Sequence, residues 1–74
     1  MTLGEYRVGI DFNPGGNAVV ARIKRAAADL IDMLAELDHG NGSNSEVARL
    51  AALAATHFED GAMWAVKAAT KKPR

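Results

Sequence analysis

EVARLAALAATHFEDGAMWAVKAAT, Glu46 to Thr70, decides the fold. Val47, Leu50, Ala54, His57, Gly61, Trp64 and Ala68 recur by threes and fours, which is the period of a helix with one apolar seam. The seam is not the whole story. The charged residues between Val47 and Ala69 are Arg49, Glu59, Asp60 and Lys67, and alanine fills much of the remainder. A helix that is apolar on several sides has to be buried on several sides. One partner helix covers one stripe, so this helix is expected at the centre of an assembly, with alanines permitting close approach.

Upstream, residues 18–39 carry the same period. Val20, Ile23, Ala27, Leu30, Leu34 and Leu37 form a seam, with Val19, Ala26, Met33 and Ile31 beside it and Arg22, Arg25, Asp29, Asp32 and Glu36 on the wet face. Asp38-His39-Gly40-Asn41-Gly42 is expected to end that helix, with Gly40 or Gly42 left-handed. Ser43 with Glu46 fits a capping box for the next one. Asn13-Pro14-Gly15-Gly16-Asn17 is a dense turn signal, and Asn17 is placed to cap the first helix. Before it, Tyr6, Val8, Ile10 and Phe12 alternate with Arg7, Gly9 and Asp11, which predicts an extended arm lying on the helices or pairing with a copy of itself. Lys71-Lys72-Pro73-Arg74 reads as a solvated tail.

The expected fold is all-α: one domain over residues 1–74, an antiparallel helical hairpin with an extended N-terminal arm, assembling as a compact homo-oligomer. The arm and turn occupy 1–17, the helices 18–39 and 45–70, and the tail 71–74. Size supports assembly. A chain of 74 residues buries only roughly 60% of its unfolded surface. It has no cysteine for disulfides or thiolate metal sites. His39 and His57 are the only imidazoles, without a paired spacing for metal. No metal or cofactor is expected.

Nine basic and nine acidic side chains cancel, whereas a duplex DNA binder normally carries a basic excess. The connection between the helices is also too long for a helix-turn-helix. No apolar run approaches a membrane span, and no signal peptide is visible, so a cytoplasmic location is expected. Gly9, Gly15 and Gly16 do not form a dinucleotide fingerprint. His57, on the apolar seam, reads as a hydrogen-bonded buried histidine rather than a catalytic base, and Asp29, Asp32 and Glu36 read as a solvated face. No catalytic constellation is found, and the protein is not expected to be an enzyme.

The second helix, with Thr56-x-x-Glu59-x-Gly61-x-Met63-Trp64 and Lys67 near its end, resembles that of the phage anti-CBASS cyclic-nucleotide sponges. The first helix fits through Ala21-Arg22-Ile23-Lys24, and the resemblance covers roughly residues 12 to 70. It implies a helical hexamer that sequesters cyclic dinucleotides such as cyclic GMP–AMP between paired protomers, without cleaving them, in the cytoplasm of the bacterial host. An aromatic of the N-terminal segment stacks on a base and a first-helix lysine meets the phosphates. Lys24 matches that lysine, and Phe12, beside Asn13, is the nearest upstream aromatic. The family pattern has a short helix with a tyrosine there, so Tyr6 is the alternative. Some members hold cyclic trinucleotides through a second-helix arginine, whose place Arg49 takes, although Ala26 stands where a supporting hydroxyl is expected.

The residues also have plainer readings. Phe12 can staple the arm to the hairpin, and Trp64 and Met63 can be core or interface. Arg49 can pair with Glu46. Lys24 and Arg25 can be surface cations, yet with Arg22 they oppose the dipole at a helix N-terminus, where an anion would be favoured. The competing function is a small helical adaptor that binds another protein through its alanine-rich face.

Overall fold

A computed structural model describes residues 1–37 and 45–74. It contains α1 (Leu3–Val8), α2 (Ala18–Leu37) and α3 (Glu46–Thr70), and no strand among the described residues. The expected left-handed Gly40 or Gly42, the Ser43 cap and the last residues of the first helix lie outside them.

The N-terminal segment corrects the sequence reading: its first part is a helix, not an extended arm. Local chemistry accounts for this at both ends. Thr2 Oγ1 accepts from the Glu5 N–H at 3.1 Å, and Glu5 Oε1 accepts from the Thr2 N–H at 2.8 Å, a closed capping box. At the other end Gly9 takes φ 66° and ψ 57°. That left-handed residue lets the Ile10 N–H reach the Glu5 carbonyl at 3.0 Å and the Gly9 N–H the Tyr6 carbonyl at 3.3 Å. Gly4 allows α1 to touch α2. A Cβ there would stand 2.1 Å from the Ala28 carbonyl oxygen, and the Gly4 N–H donates to Asp32 Oδ1 at 2.7 Å.

The turn before α2 is closed by a pair of asparagines. Asn13 Nδ2 donates to the Asn17 carbonyl at 2.9 Å, and the Asn17 N–H donates to Asn13 Oδ1 at 3.1 Å. Asn17 Oδ1 accepts from Val19 and Val20 N–H at 2.8 and 3.1 Å, the cap that the sequence predicts. Ser45 caps α3, its Oγ accepting from the Ala48 N–H at 3.0 Å.

Val20 and Lys24 near the start of α2 share recesses with Val66 near the end of α3, and Ile31 and Leu34 share one with Ala48 and Ala55, so the two helices are antiparallel. Their contact keeps part of the predicted seam on α2, through Val20 and Ala27, and departs from it on α3. On α2 the buried side chains are Val20, Lys24, Ala27, Ala28 and Ile31, while Leu30 and Leu37 of the expected seam are exposed. On α3 they are Ala55 and Ala62, and Val47, Leu50, His57, Gly61 and Trp64 all face outward. On α3 alanine wins because it lets the backbones approach, and the bulky Leu50 and Trp64 are turned away from the partner helix. The Cα atoms span 47 × 25 × 12 Å, a single layer of helices. Both faces of such a layer are open.

Candidate functional site

Lys24 is the one buried charged side chain among the described residues, 7% exposed. Its ammonium donates to the Gly9 carbonyl at 2.8 Å and to the Phe12 carbonyl. It also sits 5.3 Å from the centroid of the Phe12 ring, within range of a cation–π attraction. An ammonium withdrawn from water needs such partners, and the carbonyls gathered at the C-terminal end of α1 supply them. The Phe12 N–H donates to the same Gly9 carbonyl at 2.9 Å. Residues 9–12 are thereby wrapped around the lysine, with the Phe12 ring standing outward.

Beside this turn lies a cleft of about 460 Å³, lined by Tyr6, Arg7, Phe12, Lys24, Glu59 and Met63 among others. Tyr6 and Phe12 are each 72% exposed, so two flat apolar faces border the opening. Arg7 Nε donates to Glu59 Oε1 at 2.7 Å, tying α1 to α3 along the cleft. A second recess, of about 530 Å³, takes in Phe12, Asn13, Asn17, Lys24, Thr70 and Lys71. Phe12 and Lys24 therefore belong to both. Aromatic faces with cations at their base suit an anionic ligand that carries planar rings.

The chain matches the family model described as "Acb2/Tad1, hairpin domain" over residues 5–70. It belongs to the Acb2/Tad1 hairpin family. This is the family of the anti-CBASS cyclic-nucleotide sponges, and membership is consistent with a phage sponge of the anti-CBASS or anti-Thoeris kind. No curated protein and no solved structure matched the chain.

On the Acb2/Tad1 hairpin, Tyr6, Phe12 and Lys24 come together at one end. Asn13 borders only the second recess and spends its amide on the turn. Arg25 points elsewhere: its guanidinium donates to Glu5 Oε2 at 2.7 Å and Asp29 Oδ1 at 3.1 Å. The Glu5 carboxyl is held below the usual carboxylate range, first by Arg25 and then by the Thr2 N–H, and Arg25 is raised by Glu5 and Asp29. Arg49, near the opposite end of the hairpin, forms a two-pronged pair with Glu46 at 2.7 and 2.8 Å, which lowers Glu46 and raises Arg49. Trp64 is exposed, with the Lys67 ammonium 5.2 Å from its ring.

Arg7 and Glu59 did not stand out as site residues in the sequence. Arg7 was hidden by the alternation assigned to an arm. A charge in an otherwise sparsely charged α3 was the available signal for Glu59.

Proposed function

We propose that this protein is a phage anti-defence sponge that binds cyclic dinucleotides, of which cyclic GMP–AMP is an example, and withholds them intact from CBASS effectors in the host cytoplasm. The observation that carries the reading is the cleft bordered by the exposed rings of Tyr6 and Phe12, with Lys24 and Arg7 beside them, on the hairpin of a sponge family. Each base stacked on an aromatic contributes about 1–3 kcal/mol, and charge-assisted contacts hold the phosphates. Between two copies of the chain, a ligand with two-fold symmetry would meet each contact twice.

Copies are drawn together by the outward apolar residues Leu30, Met33, Leu50, Leu53 and Trp64, a larger set than isolated surface residues require. A hexamer is the assembly proposed. Cyclic trinucleotides are a second ligand class in this reading, with Arg49 as their cation.

Isothermal titration with a panel of cyclic di- and trinucleotides, followed by denaturation and chromatography of the ligand, tests the proposal. Binding with recovery of intact ligand is expected. Recovery of linear nucleotide would make the protein a phosphodiesterase, and no heat with any member would favour the adaptor reading, for which the same exposed α3 face is the docking surface.

A further inference from the structure

We propose that Glu59 is a specificity-determining residue of the cleft, its carboxylate selecting guanine among the bases of a bound cyclic dinucleotide. The inference rests on the cleft being a cyclic-nucleotide site, and it adds a base preference that the aromatic faces do not supply.

Stacking tolerates any base, because every base has a flat face to offer. Identity is carried by the hydrogen-bonding edge, so a selective site needs a fixed polar group that a stacked base can reach. The α3 wall of the cleft is formed by Glu59, Ala62, Met63 and Val66. Steps of three and four residues place them on one helical face. Glu59 is the single polar side chain on that wall, and the single carboxylate bordering the cleft among the described residues. A base edge turned toward α3 therefore meets hydrocarbon or this one group.

The carboxylate is held but not used up. Arg7 Nε donates to Oε1 at 2.7 Å, and Oε2 has no partner among the described residues. Each carboxylate oxygen has two lone pairs, so Oε1 also keeps one. The side chain is 34% exposed, and a ligand in the cleft can reach it. A bare carboxylate would repel a ligand that carries phosphates. The Arg7 guanidinium offsets that charge and restrains the group between α1 and α3. Lys24 gives two N–H groups to the Gly9 and Phe12 carbonyls and keeps a third for a phosphate.

Guanine is the base that matches a pair of acceptors. Its Watson–Crick edge presents N1–H and N2–H side by side, and a carboxylate accepts both. Adenine sets one donor, N6–H, beside the N1 lone pair, which a carboxylate repels. Hypoxanthine keeps N1–H and lacks the amino group. A site that hydrogen-bonds a donor discriminates against a ligand without it.

The test is titration calorimetry of the full chain with 3′,3′-cyclic GMP–AMP, 3′,3′-cyclic IMP–AMP and cyclic di-AMP. The first two differ by one exocyclic amino group. Wild type is expected to bind cyclic GMP–AMP more tightly than either of the others, by roughly tenfold or more. Glu59→Gln presents a carboxamide, which pairs with a donor and an acceptor together, and the preference should fall to about threefold or less. Losing the Arg7 contact changes all three affinities alike, and the ratio cancels it.

Equal affinity of wild type for cyclic GMP–AMP and cyclic IMP–AMP would overturn the proposal, and that comparison needs no variant to fold. An unchanged ratio in Glu59→Gln would also overturn it, leaving Glu59 as a tie between α1 and α3. Binding of none of the three by wild type would sink the cyclic-nucleotide reading itself, and guanine selection with it.

Discussion

Gly4 lies against Ala28 so closely that a methyl group on Gly4 would overlap the Ala28 carbonyl oxygen. The contact fixes where α1 crosses α2, and α1 carries Tyr6 and Arg7 to the cleft. Gly4→Ala must push the helices apart. Overpacking of this kind costs about 1–3 kcal/mol, and urea unfolding should show a loss in that range together with weaker ligand binding.

Asn17 caps α2 through two N–H groups and closes the preceding turn with Asn13. Asn17→Ala should lower stability by about 0.5–2 kcal/mol. Asn17→Asp keeps the capping oxygen, and the same unfolding experiment should show most of the loss recovered.

The Glu5–Arg25 pair sets a dependence on acid. Glu5 has a depressed pKa in the folded chain, so its contribution is fully present above the ordinary carboxylate value of about 4.3 and is lost as pH falls through the lower folded value. Glu5→Gln retains the capping contact to the Thr2 N–H and removes the charge. The stability difference between wild type and Glu5→Gln, followed by urea titration at successive pH values, should narrow on the acid side and stay constant near neutrality.

Leu50 and Trp64 make little use of their bulk within one chain, being 50% and 62% exposed. Leu50→Glu and Trp64→Glu should shift sedimentation toward smaller species. A particle mass unchanged by both substitutions would count against assembly through this face.

The helices and their caps were legible where a side chain's effect is local. Asn17 acts within three residues, and the periodicity of residues 46–70 needs no knowledge of neighbours. The seam of α3 was not. Which stripe of an apolar helix turns inward depends on how near the other helix comes, and Ala55 and Ala62 permit an approach that Leu50 and Trp64 do not. The N-terminal segment was misread because Tyr6, Val8, Ile10 and Phe12 alternate across two different structures, a helix and the turn that follows it. The Thr2-x-x-Glu5 box and Gly9 carried the better signal. Phe12 and Lys24 were found as a pair, but the carbonyls that Lys24 would bind could not be foreseen without the turn. The Arg7–Glu59 contact joins residues 52 positions apart, and no pattern in either neighbourhood announces it.

The 12 Å dimension of the chain has a consequence for experiment. A slab one helix deep hides little hydrocarbon by itself, so in the proposed assembly much of the folding free energy comes from encounters with its own kind. Such free energy follows mass action: heat-unfolding midpoints should climb as the sample is concentrated and slip back on dilution. Titrations carried out at nanomolar protein would then report dissociating subunits as well as ligand capture.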